Sequence, residues 1–482
     1  MPTLRVAFIA SEVAPFAKTG GLADVAGALP PHLHARGIDV RVFMPLHATA
    51  VLGGIALTPV STAQNVPVRL GTTAFEFSLL EGRLPGSAVP IYFVECPEVF
   101  DRPTVYTIDP DEHLRFLVLQ RAALDGCQRL QFAPDILHCH DWHTGLVPLL
   151  LKTAYAWDAL FARTRTVLTI HNIGYQGAFP LATTQDLGTS IAGLLSPEDT
   201  ARGEVNWLRE GLRLADRVST VSPTYAWEIT TPEGGHGLDA TLRARPDGVV
   251  GILNGVDYEQ WNPATDRYLQ HRYSATDLAG KAATKRDLLQ FLNVDLEQAT
   301  PLIGVVSRLT IQKGFDLLFD SLPQILTTRK LAMIVLGSGE PRYEQFFREL
   351  HQRFADRVIY HHGYNEELAH LIEAGSDMFL MPSMYEPCGL NQMYSLKYGT
   401  VPIVRKTGGL ADTVQLWNPG TRTGTGIVFD HYDARGVSWA IHTGLDLFKD
   451  KNSWGELVRN GMAQDFSWPK AAAAYEKMYR EL

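Results

Sequence analysis

The chain has 482 residues, room for about three average domains or two large α/β ones, and 45% of them are apolar, which excludes extended disorder. Its net charge of −9 argues against a surface built for nucleic acid or an anionic membrane. Four scattered cysteines (Cys96, Cys127, Cys139, Cys388) with no CxxC pair exclude a disulfide framework and a structural zinc, and fit a reducing cytoplasm.

In chain order, RVAFIA near the N-terminus reads as a first strand. Glu12 interrupts the apolar run and no basic segment leads it, which argues against a secretory signal. The phrase KTGGLADV follows from Lys18, with Gly20, Gly21 and Asp24 leading into a helix, LADVAGALPPHLHAR. DVRVFMP reads as the next strand. Asp109-Pro110-Asp111 reads as a polar loop before the helix EHLRFLVLQRAAL. The strand ILHCH then runs into HCHDWHTGL. On a strand His138 and His140 share one face, but the motif has neither a Cys pair nor an HExxH helix, so no metal is expected. Asp141 and His143, at the strand's end, are expected to line a cleft. GLVPLLLKTAYAW is broken by Lys152, and no stretch reaches the ~20 residues needed to span a bilayer. TVLTIH carries His171 and Asn172 at its end, with Tyr175 nearby, and RVSTVS is the last strand of this half. The seam between halves is expected near GILNGVDYEQWNPATD, where Asn254-Gly255 signals a turn and Asn262-Pro263 a break.

The second half repeats the alternation with LIGVVS, LAMIVLG, RVIYHH, MFLMP and VPIVR, each followed by a helical pattern. Continuous apolar strands alternating with helices predict a parallel sheet covered on both faces, one in each half. In SRLTIQKGFD, Arg308 and Lys313 follow a strand and can converge on one phosphate, a planar fork beside a point charge. LGSGEP lacks the third glycine of a dinucleotide fingerprint, because Arg342 stands there, and this speaks against a nicotinamide enzyme. Tyr364, after RVIYHH, is an aromatic able to stack on a base. In MPSMYEPCGLNQMYSLKYG, Glu386 sits in a loop stiffened by Pro387, with Gly389 expected to open a helix. It reads either as an N-cap or as an acceptor for sugar hydroxyls. Finally KTGGLADT, from Lys406, repeats seven residues of the first phrase. Strand-to-helix loops are where doubly wound sheets bind ligands. The two copies, the second with Thr407, Gly408 and Gly409, are therefore expected to form backbone cradles for an anion at helix entrances.

Together SEVAPFAKTGGLADV, HCHDWHTGL, TIHNIGYQG, GILNGVDYEQWNPATD, SRLTIQKGFD, EPCGLNQMYSLKYG and KTGGLADTV resemble the bacterial glycogen synthase and plant starch synthase family, over nearly the whole chain. The resemblance implies an α/β chain of two Rossmann-like doubly wound domains facing across a deep cleft, the GT-B type. The expected domains are residues 1–252, completed by a terminal helix at 465–482, and 253–464. It further implies transfer of glucose from ADP-glucose to the 4-hydroxyl at the growing end of glycogen or another α-1,4-glucan, with retention of configuration. No cofactor, metal, nucleic acid or membrane is expected. A related glycosyltransferase using UDP-glucose or a small sugar acceptor is the alternative. Residue by residue, the resemblance places His171 beside the reacting carbon, Arg308 and Lys313 on the diphosphate, and Glu386 on the glucosyl ring. Lys18, Gly20, Gly21, Asp24, Tyr364, Cys388, Gly389, Leu390, Thr407, Gly408 and Gly409 fall to the donor. Asp141, His143, Asn172 and Asn254 fall to the acceptor side. Asn391 stands where the family pattern has threonine.

Overall fold

A computed structural model describes residues 3–189, 191 and 193–482. The chain divides into two units. The first holds the chain up to Val221, Ala226–Gly255 and Trp468–Leu482, and the second holds Ser222–Tyr225 and Val256–Ser467. Besides the short excursion at Ser222–Tyr225, the crossings fall at Gly255/Val256 and Ser467/Trp468, where 252/253 and 464/465 were expected. Asn254-Gly255 forms no turn. Glycine is needed there because a Cβ would lie 2.4 Å from Cδ2 of Trp468.

The first unit contains β1 (Arg5–Ile9), β2 (Asp39–Pro45), β3 (Thr58–Pro59), β4 (Val66–Leu70), β5 (Thr73–Arg83), β6 (Pro90–Glu95), β7 (Ile136–His140), β8 (Arg165–Ile170), β9 (Ala178–Pro180), β10 (Glu204–Asn206), β11 (Arg217–Thr220) and β12 (Val250–Gly251). All but β9 and β10, which pair with each other, form one sheet in the order β12-β11-β8-β7-β1-β2-β6-β5-β3, with β4 on β5. From β12 to β6 every neighbouring pair is parallel, whereas β3, β4 and β5 add an antiparallel edge. The five strands expected from apolar runs are all in the parallel part. The antiparallel edge escapes such a search because β4 buries only alternate residues.

Helix α1 (Gly21–His34) follows β1, and α2 (Glu112–Arg129) precedes β7. The terminal helix α3 (Trp468–Arg480) returns to this unit. Its Trp468, Ala471, Ala472, Tyr475 and Tyr479 recur at helical spacing and bury against Val6, Leu22 and Leu29 of β1 and α1.

The second unit contains β13 (Leu302–Val306), β14 (Ala332–Gly337), β15 (Val358–His362), β16 (Met378–Met381), β17 (Val401–Arg405) and β18 (Ile427–Phe429), ordered β15-β14-β13-β16-β17-β18. Every pair is parallel. The first five strands are the five apolar runs of the sequence. Among the described residues no helix is long and apolar enough to cross a membrane.

In each sheet the strand order reverses once. The first sheet grows from β1 to β2 and β6 on one side and from β7 to β8 and β11 on the other. The second does the same about β13 and β16. Loops at the carboxyl ends of the two central strands diverge at such a point and leave a crevice for a ligand. Two pairs of loops are thereby singled out: residues 10–20 and 141–146 in the first unit, and 307–313 and 382–390 in the second.

Candidate functional site

The first pair of loops holds Asp141 and His143 of the four expected acceptor-side residues, with Asn172 after β8 and Asn254 after β12. After β1 the chain dips into the unit and buries Glu12, whose Oε2 accepts from Thr19 N (2.5 Å) and Thr19 Oγ1 (2.8 Å). That pins the start of KTGGLADV. Lys18 then pairs with Asp24 at 2.6 Å, with half of its side chain exposed. A Cβ on Gly20 would come no closer than 3.9 Å to Glu12 Oε1, and one on Gly21 would meet nothing within 4 Å. The protein's own packing does not demand these glycines, and the first turn of α1 lies open.

After β7, Asp141 is held at φ 54°, ψ −168°, a conformation nearly reserved for glycine that costs about 1–3 kcal/mol. The strain aims its carboxylate back at the end of β8, where Oδ1 accepts from the backbone N of His171 (2.7 Å) and Asn172 (3.4 Å). Asp141 thus fixes the turn carrying His171. His171 is buried, and burial lowers its pKa to about 3, so the imidazole is neutral at any physiological pH. Its Nε2 lies 2.9 Å from Nδ1 of His140. His143 packs flat on Tyr106 (centroids 4.7 Å apart), whose hydroxyl bonds Ser11 at 2.8 Å. His138 and His140 do share a face, their rings 4.1 Å apart. His138 is taken up by Thr169 Oγ1 (2.6 Å) and the Tyr479 hydroxyl (2.7 Å). Among the described residues no three His, Cys, Asp or Glu side chains converge as a metal-ligand set. Asn254 is buried, and its Oδ1 has no partner among the described residues.

Burial pushes both Glu12 and Asp141 up to about 7. An unfolded carboxyl titrates near 3.9–4.3. Between about 4 and 7 the folded chain therefore holds more protons than the unfolded one, and its stability declines as pH rises through that window. Asp141→Asn keeps the acceptor oxygen and removes the charge. Urea midpoints at pH 5 and pH 7.5 should lie closer together in this variant than in the parent chain.

The second pair of loops carries Arg308, Lys313 and Glu386, and brings the last two together. Arg308 follows β13, is exposed, and makes no ion pair among the described residues. Lys313 closes a short 3-10 turn, Ile311–Lys313, and its Nζ lies 2.7 Å from Glu386 Oε2. Ser383 Oγ donates to the same oxygen at 3.0 Å. Glu386 is buried and is not an N-cap, because the following helix starts only at Asn391, with Leu390 at its cap. Gly389 does not open that helix either. It turns the chain at φ +70° just before it. Asn391, the departure noted above, donates its Nδ2 to Val306 O at the end of β13 (2.7 Å) and so ties the two loops together.

The second copy of the repeated phrase behaves unlike the first. Thr407, Gly408 and Gly409 are buried, and Gly409 N donates to Glu386 O at 3.1 Å. A Cβ on Gly408 would fall 2.0 Å from Glu386 O, and one on Gly409 2.0 Å from Cys388 O. Here the glycines admit the Glu386 loop rather than leave space above a helix. The helix itself, Gly408–Thr413, is short, because Gln415 onward pairs with Thr425 and Gly426 instead of continuing it. Lys406 pairs with Asp430 (3.6 Å). Asp412, the counterpart of Asp24, accepts from Thr224 N (2.8 Å) and Thr224 Oγ1 (2.7 Å). Tyr364, beyond the edge strand β15, is two-thirds exposed and its hydroxyl bonds Glu366.

Sequence reasoning passed over Ser11, Glu12, Tyr106, His140 and Ser383 as working parts. Glu12 had a legible signal, a carboxylate inside an otherwise apolar stretch at a strand's end. Tyr106 had none, since its approach to Ser11 spans 95 residues.

Residues 5–244 match the family model of the starch synthase catalytic domain, and residues 292–460 match that of glycosyl transferases group 1. A glycogen synthase of Koribacter versatilis is 45% identical over 99% of this chain and 98% of its own length. One of Geotalea daltonii is 42% identical over the same shares. Among solved structures, the catalytic domain of starch synthase IV from Arabidopsis thaliana, bound to ADP and acarbose, matches with a TM-score of 0.92 at 35% identity, over 99% of both chains. A sucrose-phosphate synthase from Thermosynechococcus elongatus matches at a TM-score of 0.61 and 17% identity, a likeness of fold alone.

Proposed function

Because the chain belongs to the starch and glycogen synthase family and is a glycosyltransferase of the GT-B fold, we propose that it transfers glucose from ADP-glucose to the 4-hydroxyl at the non-reducing end of an α-1,4-glucan, with retention and without a metal. The observation that carries this reading is the second switch point, where the loop after β13 carries an exposed guanidinium with no ion pair among the described residues, and a lysine paired with Glu386. Breaking the glucosyl–phosphate bond leaves negative charge on the departing diphosphate and positive charge on the ring. Lys313 is largely balanced by Glu386, so Arg308 supplies the net positive charge that the leaving group needs. Glu386 keeps Oε1 for hydroxyls of the sugar while Oε2 is engaged. The acceptor oxygen forms the new bond on the face the diphosphate leaves, and its proton passes to a phosphate oxygen of the departing ADP.

A two-carboxylate hydrolase would need an acid and a base about 5–9.5 Å apart across the sugar. The carboxylate at this switch point is committed to Lys313 instead, which supports leaving-group stabilisation. His171, neutral and buried, adds no charge beside the ring. Lys18 and the open first turn of α1 complete the donor contacts in this reading, Tyr364 stacks on the base, and Asp141, His143, Asn172 and Asn254 serve the acceptor side. Four buried free cysteines fit a reducing cytoplasm, where we place the protein.

ADP release from ADP-glucose tests the proposal. It should require glycogen, be unchanged by a chelator, and fall sharply when UDP-glucose replaces ADP-glucose. Equal rates with UDP-glucose, or with a free sugar as acceptor, would move the assignment to the related transferase.

A further inference from the structure

His140 lies wholly inside the first unit, with the rings of Phe8 and His138 each 4.1 Å from its own. Among the described residues its ring has one hydrogen-bonding neighbour, His171, through Nδ1 to Nε2 at 2.9 Å. Its other nitrogen, Nε2, is buried and without a partner among the described residues. One proton lies between the two rings, and its owner decides the tautomer of both.

If His171 donated from Nε2, His140 Nδ1 would have to be bare and its proton would sit on Nε2, as a buried N–H with nothing to receive it. Orphaned buried N–H groups are rare, and leaving one unmade costs the full desolvation of the donor. If His140 donates from Nδ1, its Nε2 is bare and no proton is stranded. His171 Nε2 is then an acceptor, and the proton of that neutral ring sits on Nδ1. Nδ1 of His171 is not among the atoms left both buried and unpartnered in the described residues, so a proton there is not stranded. From this geometry we infer that His140 is a positioning residue, which fixes His171 as the Nδ1–H tautomer and makes it present a hydrogen-bond donor, never an acceptor, to the bound sugar.

Burial holds both imidazoles neutral, so the arrangement persists across the working pH range. The backbone supports it independently, since Asp141 Oδ1 grips His171 N and Thr144 Oγ1 accepts from His140 N. The tautomer stands on the geometry alone. The role of the donor rests on the transferase reading above.

The two are tested apart. Long-range proton–nitrogen NMR spectra of the whole chain, labelled with nitrogen-15 in its histidine rings and assigned with His171→Gln, should show His171 protonated at Nδ1 and bare at Nε2. The reverse pattern overturns the inference whether or not the enzyme turns over. In kinetics, His140→Leu leaves His171 free to take either tautomer and should lower kcat about tenfold with KM for ADP-glucose unchanged. His140→Asn, whose side-chain amide donates from nearly the position of Nδ1, should restore most of that loss. Equal kcat in the two variants would reduce His140 to packing and overturn the positioning role.

Discussion

Arg308→Ala should lower turnover by about 10²–10³ while leaving the melting temperature where it is. The magnitude is that of losing one preorganised group from a developing anion, about 2.7–4 kcal/mol. Stability should not respond, because Arg308 is exposed and holds no partner among the described residues. Lys313→Ala sits five residues away and should behave differently. Its ammonium is the counter-ion of a buried carboxylate at 2.7 Å. Removing one member of such a pair strands the other and costs about 3–5 kcal/mol, with the low end expected here because the lysine keeps some solvent contact. Activity should fall at least as far as for Arg308→Ala, but with a lowered urea midpoint. The discriminating variant is Lys313→Ala combined with Glu386→Gln. It should recover stability, since no charge is left buried, and recover no activity. Steady-state ADP release and urea unfolding on the same preparations check all three. A normal rate for Arg308→Ala would remove the leaving-group account.

The parallel cores were legible because each buried strand is a continuous apolar run, and the switch points follow from strand order once the sheets are known. Arg308, Lys313 and Glu386 stood out in the sequence as candidates because charged residues at the carboxyl ends of apolar strands have little structural reason to be there. What the sequence could not show was their wiring. Glu386 read either as a helix cap or as a sugar ligand; the helix starts only at Asn391, so it caps nothing, and its carboxylate reaches Lys313, 73 residues away. Asp141 read as a cleft residue, yet its main work in the structure is to hold the His171 turn from a strained backbone angle that no side-chain pattern encodes. The antiparallel edge of the first sheet was hidden for a simpler reason, since half-buried strands alternate and offer no apolar run.

The repeated phrase is the clearest case of identical residues serving different physics, and it yields the second large effect. Gly409→Ala should be severely destabilising and inactive. Its Cβ would sit 2.0 Å from the carbonyl oxygen of Cys388, a backbone atom in a loop already fixed by Gly409 N on Glu386 O. Overpacking of this kind costs about 1–3 kcal/mol or more, and any relief must move the carboxylate that Lys313 holds. Gly21→Ala, at the matching position of the first copy, should do the opposite to stability. Its Cβ meets nothing within 4 Å, and alanine gains up to about 1 kcal/mol over glycine in a helix. If Gly21 is glycine so that a phosphate can approach the first turn of α1, the new methyl stands in the way, and KM for the donor should rise at unchanged or higher melting temperature. The pair of variants therefore separates two reasons for one residue type. Gly409 is closed over by its own protein, whereas the first copy leaves its glycine uncovered. A fully active Gly21→Ala would show that the donor keeps its distance from α1, and would leave Lys18 as the only contact that phrase offers.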